Sequence, residues 1–261
     1  MQKSGEENVE NNSLGGVSIF RDIDLPETFL MESYHKEPTF AELERWFSPA
    51  RMSSYRNSTT PAALYLWNTH LSKAFLEDIE HVEVLLRNFI AERLTADYGS
   101  PFWFDARERY HFNEPFMRSV KKARKRLADK GVKNPTADAI IAELSFDNWR
   151  FLLSPRHEVT IWRVLIKPAN GGMPNYPGHK RDDFEADVEK ILQLRNRASH
   201  QKSFINQEEP IDQEQERLYK YWQAILRTAA RIDPDAAMWI SRHSRVVTIL
   251  QERPLELQPE E

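Results

Sequence analysis

The segment PAALYLWNTHLSKAFLEDIEHVEVLLRNFIAERLTADY, residues 61–98, determines the fold that we expect for this chain. Helices favour proline at their first position and glycine directly after their last, and here Pro61 opens the segment while Gly99 follows it. Apolar residues recur along it every three or four positions, which is the spacing of a packed helix face. They are Leu64, Trp67, Leu71, Phe75, Ile79, Val82, Leu86, Phe89 and Ile90. The segment therefore predicts one long helix with a buried stripe.

The composition favours a helical protein with a substantial core. Of its 261 residues, 40% are hydrophobic and 11% aromatic, whereas only eight are glycine, which disfavours sheets joined by tight hairpins. The length suffices for one sizeable domain or two small ones. Because the chain has no cysteine, disulfides and thiolate zinc sites are excluded. The polar N-terminus and the lack of an apolar run of about 20 residues predict a cytoplasmic protein without a membrane partner.

Capping residues, prolines and apolar spacing predict the other helices. Thr39 and Glu42 have the spacing of a capping box, and the helix that they open is expected to break near Pro49. Further helices are expected over about 115–130, 135–144, 146–153, 158–166, 182–201, 211–232 and 235–244. The short apolar run 246–250 is the best candidate for a strand.

The expected organisation is a single all-α domain between two polar ends. Residues 1–20 are rich in Glu, Asn, Ser and Gly, and this composition predicts disorder. Residues 21–253 are expected to form the helical domain, and residues 254–261 a flexible tail. The fold class that follows is all-α, a helical bundle elaborated with additional helices.

The hexapeptide RNRASH, residues 195–200, carries the residues for a candidate reaction. Arginine can hold a phosphate and histidine can exchange a proton near neutral pH, as cleavage of RNA through its own 2′-hydroxyl requires. Residues five apart lie about 140° apart around a helix. Arg195 and His200 therefore share a site only if the helix ends or distorts near Ser199, or if a partner subunit supplies one of them. Alternatively, Arg195 forms a surface salt bridge and His200 favours the helix dipole.

A strongly basic run between Arg118 and Lys133 contains eight basic residues and one acidic residue. Positive charge gathered on one helix can follow a phosphate backbone, even in a protein whose net charge is −4. The residues that we expect to contact RNA are Lys121, Lys122, Arg124, Lys125 and Arg126. The alternative is a solvated helix face whose charge is balanced by acidic neighbours.

The long helix carries two further groups of polar residues. Glu83 and Arg87 stand four apart in the order that favours an ion pair. One interpretation is that this helix packs beside the motif helix, where Glu83 and Arg87 support its polar residues; the other is an ordinary intrahelical pair. His70 and His81 share a face with Glu77, but a metal site in a bundle needs more carboxylates. We therefore expect no metal and no cofactor.

Three passages occur together in a characteristic order: HVEVLLRN at 81–88, ELSFDNW at 143–149 and LRNRASH at 194–200. In them the chain resembles the Abi-like (abortive infection) family of bacterial phage-defence proteins, which carry a HEPN-type helical ribonuclease core. The resemblance covers the chain from about Thr39 to Trp222. The middle passage departs from the family at Asp147, where relatives usually have glycine.

The resemblance implies a homodimeric endoribonuclease of phage defence. The Arg-Asn-x3-His motifs of two subunits would meet across the interface and form one composite, metal-independent site. Arg195 would neutralise the scissile phosphate, Asn196 would orient groups by hydrogen bonding, and His200 would act as general base or acid. The expected products are a 2′,3′-cyclic phosphate and a 5′-hydroxyl. A symmetric pairing also fits an isologous two-fold dimer.

Two other functions remain open at this stage. A non-catalytic RNA-binding or antitoxin-like protein would keep the basic run but would be insensitive to loss of His200. A protein-interaction bundle would bind RNA independently of the basic run, or not at all. Under the main hypothesis the partners are RNA and a second copy of the chain, with a small RNA or an antitoxin as a candidate regulator.

Overall fold

The computed structural model describes residues 37–255, and this part of the chain forms twelve α-helices and no strand. The helices are α1 (Phe40–Phe47), α2 (Pro49–Met52), α3 (Pro61–Tyr98), α4 (Arg107–Tyr110), α5 (Glu114–Asp129), α6 (Ala137–Ala142), α7 (Phe146–Leu152), α8 (Arg163–Ile166), α9 (Arg181–Ser199), α10 (Ile211–Ile232), α11 (Pro234–His243) and α12 (Val246–Gln251). The predicted all-α class is confirmed. The disorder expected at 1–20, residues 21–36 of the expected helical domain, and most of the tail expected at 254–261 lie outside the described residues. None of the described helices has the length and apolarity that a membrane span needs.

Helix α3 has the bounds that the sequence predicts and is 38 residues long. Gly99 ends it with a φ of 77°, and its N–H donates to the carbonyl of Thr95 at 2.9 Å. Glycine adopts this left-handed conformation without the Cβ clash that other residues meet. Every apolar residue predicted for the stripe is buried. Each such side chain stabilises the fold by roughly 1.5–3 kcal/mol relative to exposure.

The apolar stripe of α3 is covered by the helices from the second half of the chain. Helices α3, α9 and α10 pack against one another, α12 packs on α3, and α11 packs on α10. A single hydrophobic cluster extends from Leu43 to Leu250 among the described residues. Within it the rings of Phe75 and Phe204 meet edge to face, with their centroids 5.6 Å apart. The helix that carries the RNRASH motif is therefore a central part of the core.

Three sequence predictions need correction. Residues 246–250 are not a strand: they begin α12, because Val246, Ile249 and Leu250 point to one side of a helix and are buried. A short apolar run is compatible with the period of a strand and with that of a helix, so its pattern alone does not distinguish the two. The helix expected over 158–166 starts as a π-helical segment, Glu158–Trp162. The helix expected over 135–144 is shorter, since Thr136 is the N-cap and accepts a hydrogen bond from the N–H of Ala139.

The N-terminal half of α9 is fixed by ion pairs. The Asp187 carboxylate is 4% exposed and accepts hydrogen bonds from Arg227 at 2.7 and 3.0 Å and from Arg231 at 3.0 Å. Arg181, the first residue of α9, forms an ion pair with Glu185 one turn later. The Asp187 contacts tie α9 to α10 and set the position of the motif at its other end.

A buried ion pair fastens the end of the described chain to α10, and a cation–π contact joins it to the long helix. Arg253 Nε lies 2.8 Å from the Glu214 carboxylate of α10, and their side chains are 6% and 1% exposed. The Arg253 guanidinium also lies over the ring of Trp67, 5.6 Å from its centroid. The indole N–H of Trp67 donates to the Ile249 carbonyl at 2.6 Å. The last helix is therefore joined to α3 and α10 by polar as well as apolar contacts.

Candidate functional site

The RNRASH motif lies at the C-terminal end of α9, where two hydrogen bonds close the helix. His200 occupies the C-cap position and Gln201 follows it with a φ of 52°. The N–H of Gln201 donates to the Ala198 carbonyl at 3.0 Å, and that of Lys202 donates to the Arg197 carbonyl at 2.9 Å. This pair of bonds, with a left-handed residue after the cap, is a common way to satisfy the last carbonyls of a helix. The backbone around His200 therefore has a defined geometry.

The segment after His200 is anchored to two other helices. The N–H of Phe204 donates to the buried Asn68 side chain of α3 at 2.7 Å. Arg217 of α10 donates to the Phe204 carbonyl at 2.9 Å, and Arg197 donates to the Ser203 carbonyl at 2.8 Å. Because two arginine donors and the Asn68 acceptor hold this segment, the turn that presents His200 is part of the rigid core.

A groove between α3 and α9 contains the arginine of the motif. Arg195 and Ser199 line it from α9, and Glu83 and Arg87 line it from α3, around a hollow of about 370 Å³. The predicted packing of the long helix beside the motif helix is thus present. Glu83 and Arg87 face this groove and do not form an intrahelical ion pair with each other.

The charges in the groove nearly balance. Burial raises the pKa of the Glu83 carboxyl, while the positive charges of Arg195 and Arg87 lower it and the negative charges of Glu80 and Asp147 raise it. A buried carboxylate takes up a proton at higher pH than an exposed one. A phosphate that enters the groove would meet the guanidinium groups of Arg87 and Arg195 and the carboxyl groups of Glu80 and Glu83.

His200 is exposed and lies outside this groove. Its ring makes no hydrogen bond with any residue between 37 and 255. Arg195 is half-buried, contacts the Asn196 side-chain oxygen at 3.4 Å, and has no described carboxylate within ion-pair distance. The salt-bridge alternative for Arg195 is therefore not seen in the described structure. Within one subunit, Arg195 and His200 stay apart, as their spacing around a helix requires.

A second arginine–asparagine pair faces the groove from α3. Arg87 Nε contacts the Asn88 side-chain oxygen at 3.4 Å, the same distance that separates Arg195 from the oxygen of Asn196. The two guanidinium groups line the same hollow. The signal for this pair was visible in the sequence, because Arg87-Asn88 repeats the first half of the motif, although Glu92 stands where the histidine would be.

Two of the residues expected to contact RNA are paired within the protein. Arg124 lies 2.6 Å from the Asp105 carboxylate, and Arg126 lies 2.7 Å from that of Glu143. Glu143 also pairs with Lys130 at 2.6 Å, and these two cations lower the pKa of its carboxyl. Charges that are balanced in this way add little to the attraction of a phosphate backbone, so the solvated-face alternative describes this side of α5.

The other three, Lys121, Lys122 and Lys125, are exposed and have no ion-pair partner in the described structure. With Arg118 they occupy positions i, i+3, i+4 and i+7, which share one face of a helix. We call Arg118, Lys121, Lys122 and Lys125 the cationic stripe. The opposite face of α5 is buried and consists of Phe116, Val120, Ala123 and Leu127. Amphipathic packing therefore directs this stripe into solvent.

Two of the three polar residues considered for a metal site contact other side chains, and the third is exposed. Glu77 pairs with Arg245 at 2.6 Å, and the His81 ring meets that of Trp239 edge to face at 5.0 Å. His70 is exposed. Across residues 37–255, no three histidine, aspartate or glutamate side chains are grouped closely enough to hold a metal ion.

The candidate site thus consists of the α3–α9 groove with Arg195, the exposed His200 beside it, and the cationic stripe on α5. Asn196 contacts Arg195, and Glu83 and Arg87 lie opposite it. No family model, no curated protein and no solved structure matches the chain.

Proposed function

We propose that this protein is a metal-independent endoribonuclease of the HEPN type, which acts as an Abi-like homodimer in bacterial phage defence. The observation that supports the proposal best is that two residues of the RNRASH motif lack ion-pair partners. Arg195 and His200 stand at an anchored helix end without ion-pair partners among the described residues, although Arg181, Glu185 and Asp187 of the same helix are paired. Unpaired cationic and titratable groups on a rigid frame are suited to binding and reacting with a phosphodiester.

The reaction needs a base and an acid on opposite sides of the phosphorus. One histidine removes the proton of the 2′-hydroxyl, whose oxygen attacks the phosphorus as the bond to the 5′-oxygen breaks. A second histidine gives a proton to that 5′-oxygen, which leaves a 2′,3′-cyclic phosphate and a 5′-hydroxyl. Arg195 stabilises the charge that develops on the phosphoryl oxygens. Each subunit carries one His200, so a two-fold dimer supplies both.

The separation of Arg195 from His200 also favours a composite site. Since His200 does not line the groove of its own subunit, the groove is open to His200 of the partner subunit. Val84 is 39% exposed and lines the same groove, and it supplies apolar surface that a symmetric contact would bury. The dimer in this proposal forms across the exposed faces of α3 and α9.

The test is cleavage of total cellular RNA in EDTA by the wild type and by His200→Ala, with the product ends mapped. We expect cutting by the wild type, loss of at least about 100-fold in the variant, and cyclic-phosphate ends. His243→Ala is a matched control, because His243 is also an exposed histidine at the end of a helix. Equal cutting by the wild type and His200→Ala would exclude this site.

The cationic stripe favours a second candidate function, a non-catalytic RNA-binding protein. Four unpaired cations on one helix face can hold several successive phosphates without any reaction. In that case neither the wild type nor His200→Ala would cut RNA, both would bind it equally, and neutralising the stripe would abolish binding.

A further inference from the structure

A second hollow lies between α1, α2 and α3, and Gln201, the residue after His200, lines it. It encloses about 800 Å³. The side chains that matter for its chemistry are Arg45, Trp46, Phe47, Arg51, Tyr65 and Gln201. Three aromatic rings and two arginines therefore converge on a site that the ribonuclease motif does not include.

The rings of this hollow are exposed and prearranged. The Trp46 side chain is 53% exposed and that of Phe47 is 39% exposed, although both belong to the apolar set of α1. Phe47 stacks on Tyr65 with the ring centroids 5.0 Å apart and the planes at 27°. Trp46 meets Phe47 edge to face at 6.2 Å. Aromatic faces left open in this way can stack with a planar ligand at little conformational cost.

The charge of the hollow is positive. Glu44, its carboxylate, is already paired with Arg56 at 2.5 Å. Arg45 is exposed and has no ion pair with any described residue, and Arg51 lies over the ring of Tyr65, 6.0 Å from its centroid. A planar aromatic surface next to unpaired guanidinium groups suits a base that is attached to a phosphate.

The position of the hollow links it to the motif. Gln201 lines the hollow and its carbonyl accepts a hydrogen bond from Arg51 at 3.3 Å, whereas Ser199 lines the groove that holds Arg195. His200 stands between these two residues, and consecutive Cα atoms are about 3.8 Å apart. One strand of RNA can therefore reach the groove, His200 and the hollow within a few nucleotides.

We propose that the hollow of α1, α2 and α3 binds an unstacked nucleobase of single-stranded RNA next to the phosphate at His200. Trp46 and Phe47 stack on the base, and Arg45 and Arg51 hold its phosphate. The inference rests on the proposed function, since it assigns part of the same substrate. Recognition by stacking requires a base free of pairing, so the preferred substrates are loops and unpaired strands.

The experiment measures binding separately from cleavage. The probe is a fluorescein-labelled RNA hexamer with 2′-O-methyl groups at every position, which cannot be cut through its 2′-oxygens. We expect Trp46→Ala and Phe47→Ala each to weaken binding by about five- to 100-fold, the range for loss of one base–aromatic stack. Trp46→Phe should keep most of the affinity. Tyr219→Ala is the matched control, because Tyr219 is an aromatic residue of α10 that is 41% exposed.

Each outcome tests the proposed nucleobase site separately from the proposed cleavage. Weaker binding by Trp46→Ala and Phe47→Ala, with normal binding by Tyr219→Ala, supports the hollow whether or not the wild type cuts RNA. Equal binding by all variants overturns the hollow, even where cleavage depends on His200. A wild type that does not bind the hexamer overturns it as well. Thermal unfolding of each variant shows that the altered side chain, and not the fold, is responsible.

Discussion

The two halves of α9 use charge in opposite ways. In the N-terminal half, Arg181 pairs with Glu185 and the buried Asp187 carboxylate is held by two arginines of α10. In the C-terminal half, Arg195 and His200 form no ion pair within the described chain. The first half thus stabilises the position of the helix, and the second half presents side chains to a groove and to solvent. The difference separates residues that build the site from residues that are free to react.

The comparison predicts its largest effect at Asp187. Replacing Asp187 with alanine leaves Arg231, which is 17% exposed, without its carboxylate partner, while its contacts with the Asp183 carbonyl and the Tyr176 ring remain. Removal of one member of a buried pair is costly because the other charge stays desolvated, and we expect a loss of about 3 kcal/mol. Urea unfolding measures it. Arg195→Ala is the control from the other half of α9, and a comparable loss there would mean that the two halves do not differ.

The same contrast between paired and free charges extends to α5. Changing Lys121, Lys122 and Lys125 together to glutamine should weaken RNA binding and lower the slope of log K against log salt by about 2. The control is Arg126→Gln, because Arg126 is paired with Glu143. It should change the stability of the protein more than the salt slope of binding. An unchanged slope in the triple variant would place the RNA on another surface.

Glu83 gives a second test of the comparison. Replacing it should raise the free energy of unfolding at pH 7, whereas replacing Asp187 should lower it. The folded-state pKa of Glu83 is raised above the ordinary 4.5, mainly by burial, so the folded protein binds this proton more tightly than the unfolded chain does. Wild-type stability therefore falls as pH rises from 4.5 through the raised pKa. Glu83→Gln should be more stable than wild type at pH 7, and the gain should disappear below pH 4.5. Thermal unfolding across this range measures it, and a less stable variant at pH 7 would show that the carboxylate is needed where it lies.

The smallest expected effect is at the turn after His200. Gln201 has a φ of 52°, a conformation that costs a residue with a Cβ roughly 1 kcal/mol. Gln201→Gly should therefore raise the free energy of unfolding by about 0.5–1 kcal/mol. Gly99→Ala is the reverse control, because Gly99 has a φ of 77° and space around it, so that only the backbone conformation opposes a side chain. A loss of stability in Gln201→Gly would indicate that the glutamine side chain itself holds the turn.

Local signals allowed much of the fold to be predicted. Pro61 and Gly99 bound α3 as expected, and Thr39 forms the predicted capping box with Glu42. These features depend on neighbours in sequence, whose preferences are strong. The error at 246–250 arose because a short apolar run carries too little periodicity to choose between a strand and a helix.

The site was less accessible to prediction, because its neighbours come from distant parts of the chain. Arg195, Glu83 and Arg87 line one groove. The sequence predicted which helix carries Glu83 and Arg87, but it did not predict how their side chains are arranged. The pairing of Arg124 and Arg126 depends on Asp105 and Glu143, whose proximity is set by tertiary packing. The exposure of Trp46 and Phe47 could not be read from their apolar spacing, which resembles that of a core face.

The contact between Trp67 and Ile249 has a consequence for the order in which the chain is made. The indole of Trp67 donates to the carbonyl of Ile249, 182 residues later and within α12, the helix that covers this part of α3. At a synthesis rate of about 5–20 residues per second, that carbonyl emerges roughly 10–40 s after the tryptophan. The long helix thus leaves the ribosome well before α12, which packs on it, has been synthesised. Until α12 is synthesised, nascent chains carry a part of the apolar stripe of α3 that this helix covers in the fold.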